Sequence, residues 1–441
     1  LVFAIGVSHG VQMINAVMLQ RAAGRDLLQA ARGAFRALYV PGMIALVSDA
    51  IGFVTMVLIP IQVIKDLGIA ASTGVAAIIL TNLVLLPVLL SYTDVGAGAI
   101  RRLQQRRESD HTSALWRIIA RCASPRVAKV SLLLAAAGFA IGIIGGRHMQ
   151  IGDLDAGAPE LHPDSRYNRD NQFITEHYST SSDVMVIMVE TREQECTLYE
   201  NLVTVDRFTW EMENVPGVDS TLAATHISKL VAAGYNEGNL KWATITRNQR
   251  MLGTTFNQMP AELMNANCSL LPVVLFLDDH RAATLQRVAD AAQAFADENN
   301  REGLRFVLAA GNAGVEAATN QEIARARLKM IALIYGVVCL LVLASFRSWR
   351  AVICIVVPLG LTSALCQALM ATLGIGVKVA TLPVIALGVG VGVDYGIYIY
   401  SRLAVHLRRG LELEEAYLRT LDSTGKAVGF TGITLAIGVA T

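Results

Sequence analysis

From Val379 to Tyr400 every residue is apolar, small, hydroxylic or aromatic except one, Asp394. A run of about 20 such residues crosses a hydrocarbon core of roughly 30 Å at helical rise. An acid at its middle costs on the order of 2.5 to 3.5 kcal/mol on insertion scales, so it must face a protein interior or a water-filled path and find a partner. The chemistry open to it there is the binding and release of a proton. His9 and Asp49 interrupt two other apolar runs. All three groups fall about 8 to 13 residues from the nearest basic flank, roughly 12 to 20 Å deep. An acid and an imidazole in contact at that depth favour the ion pair, and protonating the acid breaks it, giving two states that differ in charge and preferred packing. A proton crossing 100 mV releases about 2.3 kcal/mol, before any pH gradient is added.

Hydroxyls extend this candidate proton relay. Ser8 and Tyr395 flank the pair in sequence. Thr431 and Thr434 on the last apolar run either pass a proton through water or bond back to their own helix. Tyr395, Tyr398 and Tyr400 cannot all face Asp394 from one helix, and Tyr400 reads as an interface anchor. The bland alternatives are a structural hydrogen bond for Asp394 and a core histidine bonded to a backbone carbonyl for His9.

Other chemistries find no footing. The nearest approach to a phosphate loop, Thr424-Gly425-Lys426, has Thr420 in place of the first glycine and Ala427 after the lysine, so ATP is not the fuel within this sequence. The sequence carries no metal-ligand spacing, no Gly-x-Ser-x-Gly elbow and no Ser/His/Asp arrangement, which argues against an enzyme; no cofactor or metal is expected beyond a proton gradient.

The elements that must position these groups are membrane helices. With 53% hydrophobic and 17% charged residues in 441, the chain is too apolar for an ordinary soluble protein. Apolar runs lie at 1–18, 39–62, 69–92, 127–146, 330–345, 351–371 and 379–401, with a last one reaching Thr441. The chain begins and ends inside such runs, so a longer protein is expected. Three stretches follow: 1–146, with spans and a basic linker that includes Arg101, Arg102, Arg106 and Arg107; 147–329, an acid-rich soluble domain; and 330–441, further spans. Short loops on one side carry about 18 Lys and Arg and on the other about two, which puts the basic side in the cytoplasm and residues 147–329 outside.

That soluble stretch reads as an α+β domain with two βαβ units: strand 183–190, helix 194–213 and a short strand, then strand 270–277, helix 282–299 and strand 304–309. Cys196 and Cys268 lie within it, either as a disulfide, if the region is extracytoplasmic, or as two buried thiols.

Laid over itself, the chain matches Leu1–Thr55 to Leu387–Thr441 at one constant offset, with roughly a fifth of positions identical. Gly6 and Gly10 fall on Gly392 and Gly396, and Ala50-Ile51-Gly52 on Ala436-Ile437-Gly438; Asp49 has Leu435 as its counterpart. Both copies run in the same direction across the membrane, as in parallel-repeat transporters. The Gly-x-x-x-Gly spacings predict close approach of the two equivalent helices.

Several segments resemble the resistance-nodulation-division (RND) exporters, specifically the MMPL and Patched-like branch: Gly392-Val-Asp394-Tyr395-Gly396 with Ser401-Arg402, Ser48-Asp49-Ala-Ile-Gly-Phe53, Asn82-Leu-Val-Leu-Leu-Pro87 and Ser345-Phe346-Arg347-Ser348. The resemblance implies that these are spans four to eleven of twelve and that residues 147–329 are the second of two periplasmic porter domains. It also implies an Asp-Tyr pair on the fourth and the tenth span; here the tenth keeps Asp394-Tyr395, while the fourth has Ser8-His9. A single Asp394 facing His9, with Asp49 supplying the second negative charge, is the arrangement to expect. The function implied is proton-motive-force-driven export of hydrophobic, amphiphilic or lipid-like substrates from a bacterial inner membrane. The alternatives are a lipid- or sterol-sensing protein of similar architecture without proton-coupled transport, and a protein-export auxiliary. Expected partners are the bilayer, protons, the cargo, the missing parts of the same chain (spans one to three, the first porter domain and span twelve) and further copies of it, with no nucleic acid.

Overall fold

A computed structural model describes residues 2–93, 96, 98, 100, 101, 104, 114–158, 161–257 and 259–440. Leu1, Arg102, Arg106, Arg107 and Thr441, named above, lie outside the described residues. The chain divides into two units: the first takes in Leu1–Met149, Ala324–Gly374 and Val379–Thr441, the second Gln150–Ile323 and Ile375–Lys378.

The first unit opens with α1 (Val2–Ala22), α2 (Leu27–Thr55) and α3 (Gln62–Leu80), which a wider π-type turn carries into α4 (Leu86–Leu90). After these come α5 (Ala114–Ala120) and α6 (Pro125–Gly146). Arg32 and Arg36, on the basic side of the apolar run that begins at residue 39, are on α2. Asp26 accepts a hydrogen bond from the Gln29 backbone at 2.7 Å and starts that helix well before the apolar run begins.

The second unit contains α7 (Arg166–His177), β1 (Val184–Thr191), α8 (Tyr199–Glu213), β2 (Val218–Ala223), α9 (Ala224–Gly234), α10 (Gln249–Phe256), β3 (Leu270–Leu277), α11 (Ala282–Asn299) and β4 (Leu304–Ala310). Its sheet runs β2-β3-β1-β4 and every pairing is antiparallel. A strand of one β-α-β stretch therefore lies between the two strands of the other, a split arrangement. Alternate residues of β1 (Met185, Ile187, Val189) and β3 (Leu271, Val273, Leu275, Leu277) are buried, the period-2 pattern of a sheet with one covered face. Phe208 of α8, Phe295 of α11 and Phe306 of β4 close over that face with ring centroids 5.0 to 5.2 Å apart. Cys196 and Cys268 are joined by a disulfide, Cα atoms 5.1 Å apart. Residues 375–378 return to this unit: Val377 bridges Ile151, and Lys378 pairs with Asp153.

The remaining helices are α12 (Asn312–Phe346), α13 (Trp349–Thr372), α14 (Leu382–Arg408), α15 (Leu413–Thr420) and α16 (Lys426–Ala440). Among the described residues, seven helices are long and apolar enough to cross a membrane, so the chain is a multi-pass membrane protein. Gly24 after α1 and Gly410 after α14 both adopt left-handed φ, +82° and +83°. A side chain there would be strained, and each glycine turns the chain into the next helix.

Candidate functional site

Three helices of the first unit meet around polar side chains. His9 comes from α1, Asp49 from α2, and Asp394 and Tyr398 from α14; each is 5% exposed or less. His9 Nε2 lies 3.1 Å from Asp394 Oδ2, and His9 Nδ1 lies 2.7 Å from the Tyr398 hydroxyl. With its hydrogen on Nε2, the ring donates to Asp394 and accepts from Tyr398, so both nitrogens are satisfied by one helix. Asp394 and Tyr398 can act together because residues four apart share a helix face.

Asp49 completes the cluster. Its carboxylate, that of Asp394 and the His9 ring place ligating atoms within 4.8 Å of one another. Asp49 Oδ2 and Asp394 Oδ1 have no hydrogen-bond partner among the described residues. Two buried carboxylates and one imidazole cannot all be charged without leaving net negative charge in a low dielectric. A proton held on one carboxyl relieves that charge and gives an unpaired oxygen a bond. The same three groups are close enough to share a cation, a set that spacing along the chain does not reveal because each ligand comes from a different helix.

Glycines admit these groups between the helices. A Cβ built on Gly390 would collide with Asp49 Oδ1, and one on Gly42 would sit 3.2 Å from the Tyr398 hydroxyl and 2.9 Å from Leu83 Cδ2. Neither glycine stood out in the sequence, where both sit in ordinary apolar runs.

Several sequence expectations are corrected. The four Gly-x-x-x-Gly residues do not bring α1 and α14 together through glycine faces. Gly6 faces Ile78 and Asn82 of the third span, Gly10 faces Leu86, and Gly392 and Gly396 face Leu359 and Ile355 of α13. The reason is angular: the α14 glycines point away from the face that carries Asp394 and Tyr398. Tyr395, one residue on from Asp394, is rotated about 100° from it, and its hydroxyl has no partner among the described residues; Tyr398 takes the place expected for it. Ser8, half-buried, makes no hydrogen bond to the cluster among the described residues. Thr431 donates to Ala427 and Val428 carbonyls and Thr434 to Phe430 and Thr431 carbonyls, so both satisfy themselves on their own helix.

Helices long and apolar enough to cross a membrane around a buried acid–imidazole cluster in the first unit, and an antiparallel α+β fold in the second, define a multi-pass membrane protein with a sheet-bearing unit. The MMPL family profile matches residues 167–441, more than half of the chain, and the chain belongs to the MMPL family. Its fold is similar to that of the hedgehog release protein Disp from the water bear Hypsibius dujardini, with a TM-score of 0.60 and 13% identity over 98% of this chain and 57% of that one. SecDF from Thermus thermophilus, a translocon-associated membrane protein, matches with a TM-score of 0.48 and 15% identity over 98% of this chain and 47% of that one. The chain thus spans about half the length of the solved structures it matches. No curated protein matches it in sequence.

Proposed function

We propose that the protein is a proton-driven exporter of hydrophobic, amphiphilic or lipid-like substrates, and that His9, Asp49 and Asp394 are its proton-carrying groups. The observation that carries this reading is the 3.1 Å contact of His9 with Asp394 between two membrane helices, beside a second carboxylate with an unpaired oxygen. With Asp394 ionised, the imidazole edge holds α1 to α14. A proton arriving on Asp394 removes the acceptor's charge, weakens that hold and leaves Asp49 as the better partner for the imidazole. The two protonation states therefore favour different helix packings, which is what coupling requires. Access from the basic side is supplied by a cavity of about 770 Å³ whose wall includes Tyr398, Ser401 and Gln12. No ATP-type phosphate loop competes as an energy source within this sequence.

In this reading the basic loops are cytoplasmic, the membrane is a bacterial inner membrane, and the second unit is a periplasmic porter domain that receives cargo. The disulfide supports an oxidising surround for that unit. The helix–glycine–helix junctions at Gly24 and Gly410 support a parallel internal repeat. The remaining spans, a first porter domain and further copies of the chain complete the machine. A lipid- or sterol-sensing role without proton flow is the second reading. The test is export by the full-length protein carrying Asp394→Asn. At normal expression, transport falls to background if the proposal holds; transport at the wild-type rate removes Asp394 from the mechanism.

A further inference from the structure

Below the relay, the cavity carries charge that proton transfer does not use. Arg25, Arg32 and Arg36 line it from the α1–α2 junction and the first turns of α2, and Arg402 and Arg409 from the last turns of α14 and the residue that follows it. Among the described residues none of the five forms an ion pair with a carboxylate, and three of the acids nearby in the chain are engaged elsewhere. Asp26 caps α2, Glu415 pairs with Arg419, and Asp422 pairs with Lys426. Guanidinium groups gathered around one space without counter-charge repel one another, and an anion placed among them reverses the sign of that interaction. A second feature points into the same space: Gln12, 3% exposed, lines the cavity, and its amide nitrogen has no hydrogen-bond partner among the described residues. A buried donor left without an acceptor is a loss that a ligand oxygen would cancel.

We infer that this cavity is a binding site for a phosphate-bearing anion, either the phosphodiester of an anionic lipid headgroup from the basic side of the membrane or free phosphate. Arginine forks match phosphate oxygens two at a time, which lysine does not. The volume, about 770 Å³, lies in the range of roughly 300 to 1,000 Å³ common for ligand sites and admits a headgroup with water. The bound anion has Tyr398 as a neighbour, and the Tyr398 hydroxyl is bonded to His9. Occupancy thus adds negative charge next to the residue that orients the imidazole. The inference concerns binding and stands whether or not protons flow through the cluster.

The test uses purified full-length protein in neutral detergent, with no gradient. Dihexanoyl phosphatidylglycerol is titrated against dihexanoyl phosphatidylcholine, and inorganic phosphate against chloride at equal ionic strength, with affinity read by calorimetry and thermal shift. Saturable binding of phosphatidylglycerol alone identifies a lipid site, and of inorganic phosphate as well a site for the free anion. In either case Arg32→Gln with Arg402→Gln weakens binding at least about tenfold, the effect of losing a charge-assisted contact. Lysine at the same two positions keeps part of the affinity, and Gln12→Leu lowers it without touching a charge. Those two variants decide the matter if the double glutamine variant does not fold. The inference is overturned if neither probe saturates, or if the affinity of the variants equals that of wild type. Because export is not measured, this failure is separate from failure of the relay.

Discussion

His9 and His280 each lie 3.1 Å from an aspartate oxygen, one between membrane helices and the other at the ends of the two central strands of the sheet. The second pair is a fastener. Asp183 immediately precedes β1, its carbonyl accepts from the Leu277 amide of β3 at 2.9 Å, and His280 follows β3 by three residues. His280 Nδ1 reaches both Asp183 oxygens, so the ionic contact reinforces a backbone pairing that already exists. The hydrogen bond to Asp183 pushes the His280 pKa up to about 9 against the effect of burial, with the negative charges of Asp183, Glu316 and Asp153 adding to the rise. In the membrane, by contrast, no strand ladder ties the partners together. His9, Asp49 and Asp394 stand on separate helices, and two carboxylate oxygens remain unpaired. In the proposed reading, the same two residue types make a lock where the backbone is already joined and a switch where it is not.

The harshest way to break the switch half is a methyl group at Gly390, which would collide with Asp49. Gly390→Ala in the full-length protein is expected to abolish export and to destabilise by about 1 to 3 kcal/mol, the usual cost of overpacking. Gly388→Ala, where a Cβ meets nothing within 4 Å, leaves both unchanged. Thermal unfolding and transport of the two variants check this, and equal behaviour would mean the glycine does not admit Asp49.

The lock half is sharpened by pH. The folded pKa of His280 is raised to about 9 from its ordinary value of 6.5. The imidazolium's contribution is therefore complete below pH 6.5 and lost as pH rises through about 9. His280→Gln should lower the unfolding temperature most near pH ~6, and the gap to wild type should close by about pH 10. A gap that widened with pH would reverse the assignment.

The smallest contrast separates two tyrosines. Tyr398→Phe removes the partner of His9 Nδ1 and is expected to slow export several-fold, in keeping with one buried hydrogen bond of about 1 kcal/mol. Tyr395→Phe, whose hydroxyl is unpartnered, leaves the rate within about twofold. Initial export rates in matched preparations decide between them.

The cluster was legible where physics makes residues conspicuous. Asp394, His9 and Asp49 stand out because charge in an apolar run is expensive, and the strands and long helices of the second unit follow from their periods. Of the three tyrosines that cannot all face Asp394, Tyr398 is picked out by its four-residue spacing, a readable helix-face signal. The roles of Gly390 and Gly42 were not readable, since what a missing Cβ admits comes from another helix. The glycine repeat misled because a small residue marks close approach without saying to which neighbour. Thr431 and Thr434 failed as relay groups because a hydroxyl in a helix finds a carbonyl of its own turn first.

The central claim is tested most directly by proton movement through the full-length protein in sealed vesicles, followed with an internal pH dye under an imposed membrane potential and with cargo present. The account predicts acidification of the lumen by wild type when the potential is negative inside, and none above leak with Asp394→Asn. Wild-type export with no proton entry, or equal entry in both proteins, would contradict it.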